Sequence, residues 1–197
     1  MSHDRPVRED LGSPAWLAPV LNELTNWYLW AVRDLPAEVL LRGLGAFEDE
    51  LPEIVLLEQP PAFLSTLDLS GIRGLGFEAE GWSVAVLGGL PLLTDPVSAL
   101  TGGAREAFSC SLDVNGATHL TYAQAGVEEF SVSRPIGSCP LSDLPQPLHP
   151  AARKSGVQEQ PSVGDIWDPS QNLRLISEYT GALGGVEVLR HLRLLGV

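Results

Sequence analysis

Positive charge is scarce in this chain: 12 Lys and Arg residues stand against 25 Asp and Glu, for a net of −13, and Lys154 is the one lysine. Nucleic acid is held by basic side chains that displace phosphate counterions, so this balance argues against a nucleic-acid partner. Cysteine is nearly absent. Cys110 and Cys139 lie far apart and outside any paired motif, which supplies neither a disulfide framework nor zinc-site spacing. Cys110 falls on the apolar side of a strand pattern and reads as a small core residue; Cys139 sits in the loop GSCP, open to exposure but with no basic neighbour to activate it. No apolar run approaches the roughly 18 residues of a membrane span. The first residues, MSHDRPVRED, lack the apolar centre of a signal peptide, so a cytoplasmic protein is expected.

What the chain does contain suits one globular domain. Its 197 residues are 44% hydrophobic and 19% charged, and a chain of this length buries roughly 70% of the surface its unfolded form exposes. The pattern predicts an α+β fold: an antiparallel meander of about four to five strands packed against an N-terminal helix pair, with a proline-rich strap and C-terminal helices. The expected divisions are a flexible tail over 1–12, an α+β core over 13–134, the strap over 135–164, and a C-terminal helical segment over 165–197.

The meander is read from Trp82 to Arg134, where short alternating runs are separated by Gly, Asn and Asp. Side-chain parity sets Phe108, Cys110 and Leu112 on one face of their strand and Leu120 and Tyr122 on one face of the next. A two-residue Asn115-Gly116 turn would pair Leu112 with His119 and oppose apolar to polar faces. A three-residue loop, Val114 to Gly116, instead pairs Leu112 with Thr118, Cys110 with Leu120 and Phe108 with Tyr122, and is preferred. Phe130 and Val132 of the following strand join the same core.

Ser13-Pro14 opens a predicted helix to about Arg33, with Trp16, Val20, Leu24, Trp27 and Ala31 at helical spacing. A shorter helix follows through Arg42, ended by Gly43 and Gly45. Ile54 to Glu58 reads as a short buried strand. GIRGLG, residues 71–76, lacks the Lys-Ser/Thr of a phosphate loop and reads as a plain loop. Asp95-Pro96 signals a short helix to about Leu100. Six prolines from Pro135 to Pro161 predict an irregular or partly disordered strap, and Asp168-Pro169-Ser170-Gln171 opens a helix ending near Gly181. A last helix is expected from Val186 to Leu195, with Leu189, Leu192 and Leu195 in line.

The helix, the strand GWSVAVLGG, the segment PVSALTGGAREAFS and the hairpin DVNGATHLTYAQAGVEEFSV together resemble an uncharacterised domain-of-unknown-function family of small proteins from high-GC bacteria. The resemblance spans much of Pro14 to Pro135, with 47–81 as an insertion. It implies no activity, because the family brings no catalytic residues to transfer.

Chemistry-bearing residues are few and scattered. His3, His119, His149 and His191 fall in a tail, a strand, a loop and a helix, so no metal site and no cofactor are expected. A cup between the meander and the N-terminal helix would be lined by Trp27, Trp30, Tyr122 and His119, with Ser111 and Asp113 beside the histidine. The acids Glu48, Asp49, Glu50 and Glu53 are the candidate partner surface, fitting a basic protein. The expected function is a non-enzymatic, acidic protein-binding module: an inhibitor, an immunity-type protein or an adaptor. A small-molecule or catalytic cup is one alternative. A structural subunit that assembles with copies of itself through the C-terminal helix is another.

Overall fold

The structure is a computed structural model that describes residues 27–44, 53–56, 74–88, 100–103, 105–112, 115, 117–162, 170–184 and 193–196. Its centre is an antiparallel sheet of eight strands: β1 (Trp27–Arg33), β2 (Glu53–Leu56), β3 (Gly74–Ala79), β4 (Trp82–Gly88), β5 (Glu106–Leu112), β6 (Thr118–Gln124), β7 (Val127–Val132) and β8 (Arg193–Gly196). Their spatial order is β2-β8-β3-β4-β1-β5-β6-β7. The α+β class with an antiparallel sheet therefore holds, and the sheet is wider than the expected four to five strands.

The expected helix from Pro14 to about Arg33 is corrected over its last part: residues 27–33 form β1, the strand between β4 and β5. Residues 14–26 lie outside the described residues. A strand in the middle of a covered sheet is apolar on both faces, so WYLWAVR shows no alternation, and Trp27 with Ala31 mimics the i, i+4 step of a helix. The predicted meander is thus opened by a strand from earlier in the chain. The β5–β6 register holds residue for residue, with Leu112 opposite Thr118, Cys110 opposite Leu120 and Phe108 opposite Tyr122.

The hairpins β3–β4 and β6–β7 use two-residue turns, Glu80-Gly81 and Ala125-Gly126, in which both residues have positive φ. Turns of this kind match the twist of the flanking strands. Ala125 is the ill-suited member, at φ 52. Ala125→Asn is expected to raise stability by about 0.5 kcal/mol, read as a higher urea midpoint at unchanged slope.

Helix α1 (Ala37–Gly43) covers one face of the sheet, which we call the lower face. Leu35, Leu40, Leu41 and Leu44 pack there with Trp30, Val32, Ala85, Leu87, Leu100, Ala107 and Ala123. A Cβ at Gly76 would stand 2.6 Å from Leu41 Cδ1, so the helix lies against β3 where only a glycine fits. No side chain of its own caps α1. Glu78 of β3 does so from outside, accepting the Ala37 N–H at 2.8 Å beside the positive end of the helix. GIRGLG is corrected accordingly: its last residues, from Gly74, are strand β3.

The upper face is covered by the proline segment, which is neither irregular nor loosely held. Prolines recur every fifth residue, at 135, 140, 145 and 150. The first three each open a tight 3₁₀ turn, with Ser138, Asp143 and Leu148 N–H donating to the carbonyls of Pro135, Pro140 and Pro145 at 3.0, 3.0 and 2.9 Å. Proline supplies the fixed φ such a turn starts from and has no N–H to leave unpaired. Each pentad then lowers anchors onto the sheet: Ile136 and Cys139, Leu141 and Leu144, then Leu148, and finally Ala151 and Ala152 on helix α2 (His149–Lys154).

Helix α3 (Gln171–Thr180) lies on the same face and ends, as its sequence predicts, at Gly181 with φ 67. It starts at Gln171 after Ser170, without a side-chain cap. Its buried Asn172 accepts the Ile136 N–H at 2.7 Å, tying strap to helix. The expected helix from Val186 to Leu195 is corrected at its end, because Arg193–Gly196 is strand β8, paired with β2 and β3. Leu189 and Leu192 of the expected stripe, and with them the homo-oligomer expected through it, lie outside the described residues. The short strand expected at Ile54 is present as β2. The helix after Asp95 lies outside the described residues, apart from Leu100.

Candidate functional site

Beyond its backbone pairing with β5, the outer hairpin, β6–β7, is tied to β1 and to the helix on the upper face by a polar knot. Glu106 opens β5 and is 8% exposed, facing the upper layer. Its Oε1 accepts the Tyr122 hydroxyl at 2.8 Å and the Tyr179 hydroxyl at 2.6 Å, while its Oε2 accepts Arg33 Nη1 at 2.8 Å. Four elements, β1, β5, β6 and α3, thereby meet on one carboxylate. Phe108 lies beneath, with ring centroids 5.9 Å from Trp82, 5.0 Å from Tyr122 and 5.2 Å from Tyr179. Arg33 also lies 6.0 Å over the Trp82 ring, half in solvent, as a long cationic side chain prefers.

Burial pushes the Glu106 carboxyl up, but the hydrogen bonds from Tyr179, Arg33 and Tyr122, together with the Arg33 charge, outweigh it and hold it below the ordinary glutamate value. Burial first, then their hydrogen bonding, drives both tyrosines the other way: Tyr122 and Tyr179 keep their protons above the ordinary phenol range. Arg33 is held more firmly protonated by its bond to Glu106. Both carboxylate oxygens and both phenol hydroxyls of the knot are engaged with one another or with Arg33, and this makes it an anchor.

The four residues expected to line a cup are divided by the sheet. Trp27 and Tyr122 belong to the upper core, whereas Trp30 is buried in the lower one and His119 is also on the lower face. Trp27 and Trp30 differ by an odd number on one strand, as Tyr122 and His119 do on another, so neighbours in sequence point opposite ways. Helical spacing had placed both tryptophans near one stripe. Once residues 27–33 are a strand, no single pocket takes all four.

His119 instead centres a hydroxyl cluster on the lower face of the outer strands. Its Nδ1 lies 3.0 Å from Ser133 Oγ; its Nε2 lies 2.9 Å from Thr121 Oγ1 and 3.3 Å from Ser131 Oγ. Ser111 stands opposite it on β5. Both ring nitrogens are engaged, which stiffens the hairpin. Asp113, Glu48, Asp49 and Glu50 lie outside the described residues, and Glu53 opens β2 opposite Gly196. The expected acidic surface at 48–53 thus lies almost wholly outside the described residues. His149 donates from Nε2 to the Leu144 carbonyl at 3.0 Å and serves the strap.

Both cysteines are buried and unpaired. Burial pushes the Cys110 thiol up, and the neighbouring Asn172 offsets only part of this. Cys139, expected to be open to exposure, is 2% exposed because it is the second anchor of its pentad. A thiol reagent is expected to modify neither in the native protein and both in guanidinium; rapid native labelling of either would contradict this packing.

Sequence pattern gave no warning of the remaining surface feature, the outer edge of β7. This strand ends the strand order. Val127, Glu128, Glu129 and Ser131 are exposed on it, while Phe130 and Val132 are half-buried against the upper core. A bulge falls opposite Tyr122 and Ala123, where both Glu128 and Glu129 fit beside a single residue of β6. The turn before it is pinned twice: the Ala125 N–H donates to the Arg105 carbonyl at 2.9 Å and the Gly126 N–H to Thr101 Oγ1 at 3.1 Å. The edge is presented by a hairpin held at its turn, at Tyr122 and at His119.

Among the described residues, no three His, Cys, Asp or Glu side chains gather as metal ligands would. No helix among them is long and apolar enough to cross a membrane. Comparison of the chain with family models, with curated proteins and with solved structures finds no match.

Proposed function

We propose that this chain is a non-enzymatic protein-binding module of the cytoplasm, an inhibitor, immunity-type protein or adaptor, whose partner is a basic protein. The observation that carries the reading is the edge strand β7: exposed, acid-bearing and fixed in place by side chains of β5, β6 and α3. A binding surface held rigid before its partner arrives loses little conformational entropy on association. Acidic groups on such a surface speed the encounter with a basic partner and make binding sensitive to salt. Free thiols buried in the core suit a reducing compartment.

The test is native purification of the tagged chain from its own host at low and moderate salt, with mass spectrometry of what accompanies it. A stoichiometric basic protein is expected at low salt, lost as salt rises and missing when Glu128→Lys and Glu129→Lys are combined. Recovery of the chain alone at low salt would overturn the reading.

A further inference from the structure

Resting on that reading, we infer that the partner contributes an extended basic segment that adds a further strand to the sheet beside β7. An edge strand displays a row of backbone N–H and C=O groups on its outer side, and a peptide in extended conformation satisfies them as a neighbouring strand would. The side chains of β7 then select among such peptides. Val127 is 57% exposed, one of two large hydrophobic residues so exposed among the described residues. Glu128 and Glu129 are exposed beside it, and among the described residues neither forms an ion pair. An apolar side chain followed by Lys or Arg in the incoming strand meets both features.

The same residues discriminate between occupants. A second copy of this chain docking edge to edge in the register that faces Glu128 and Glu129 with their own counterparts brings like charges directly opposite, which is unfavourable in a sheet. The bulge at Glu128 and Glu129 further blunts indiscriminate pairing at that end, leaving Phe130 to Val132 as the regular stretch. Repulsion of acidic or identical edges and attraction of basic ones make this edge selective.

Two synthetic peptides test the inference: one alternating valine and arginine, the other identical but with alternate backbone nitrogens methylated. Charge and side chains are common to both, so only strand pairing separates them. The unmethylated peptide is expected to bind about tenfold or more tightly, to slow amide hydrogen exchange across Val127–Val132, and to lose both effects with Glu128→Lys and Glu129→Lys combined. Those residues are exposed, and an unchanged circular dichroism spectrum shows that the variant is folded. Equal binding of the two peptides, or binding that leaves β7 exchange unchanged, would overturn strand addition. So would β7 protection that grows with protein concentration in the absence of peptide, which would make a second copy the occupant. A co-purifying partner that leaves β7 exchange untouched would remove this inference while sparing the binding-module reading; failure to recover any partner would overturn that reading and this inference with it.

Discussion

Glu106→Ala is expected to lower stability by about 2–4 kcal/mol, measured as an early shift of the urea midpoint. The residue is 8% exposed, and its loss strands two phenol hydroxyls, Tyr122 and Tyr179, that otherwise donate to one oxygen at 2.8 and 2.6 Å. Arg33 is half exposed and recovers much of its lost partner from water, so the penalty falls mainly on the tyrosines. Glu106→Gln, which keeps an acceptor for them and removes the charge, should cost less than alanine. Equal stability of wild type and Glu106→Ala would show that the knot is not an anchor. Because Tyr122 belongs to β6, the alanine variant should also exchange its β6–β7 amides faster and bind any β7 partner less well.

The same group predicts how stability follows pH. Glu106 is held below the ordinary glutamate value, so its contribution is complete above that value and is lost as pH falls through the folded one, where the native protein must take up the proton. Tyr122 and Tyr179 are shifted up, so their contribution is complete below the ordinary phenol value of 10.0 and declines above it, as the unfolded chain ionises first. In Glu106→Gln the acid-side loss should be shallower than in wild type.

Phe108→Ala is expected to cost more, about 3–5 kcal/mol, or on the order of 10 °C in melting temperature for a chain of this length. Phe108 is fully buried in β5 and touches the rings of Trp82, Tyr122 and Tyr179. Removing it opens a cavity under the two tyrosines that hold Glu106. The effects of Phe108→Ala and Glu106→Ala should therefore not add: the double variant is expected to lose less than the sum, by 1 kcal/mol or so. Strict additivity would mean that the ring packing and the hydrogen-bond knot are independent.

The parts of the fold legible in the sequence are those decided by neighbours in the chain. Parity, the Asn115-Gly116 pair and the need to keep apolar faces together were enough for the β5–β6 register. Proline and glycine signals were enough for the presence of α1 and for the end of α3 at Gly181. The strap was half legible. Its prolines were plain, but their five-residue period reads as irregularity until the sheet beneath shows which residues of each pentad face down. The candidate cup was misread for the same reason as β1, since the direction of Trp27 and Trp30 depends on whether those residues advance as helix or strand.

By itself, then, the sequence determined an α+β chain with an antiparallel sheet, the pairing of its central hairpin and a strongly acidic composition. Only the tertiary structure decided that residues 27–33 are a strand between β4 and β5, that residues 193–196 enter the sheet, and that β7 is left at its edge. It alone brought Arg33 and Tyr179, each 73 residues from Glu106 along the chain, onto a single carboxylate. The physical reason is one of range. Turn chemistry and side-chain alternation act over a few residues and leave a local mark, whereas burial on both faces of a sheet and the sharing of one buried charge depend on partners that come together only on folding.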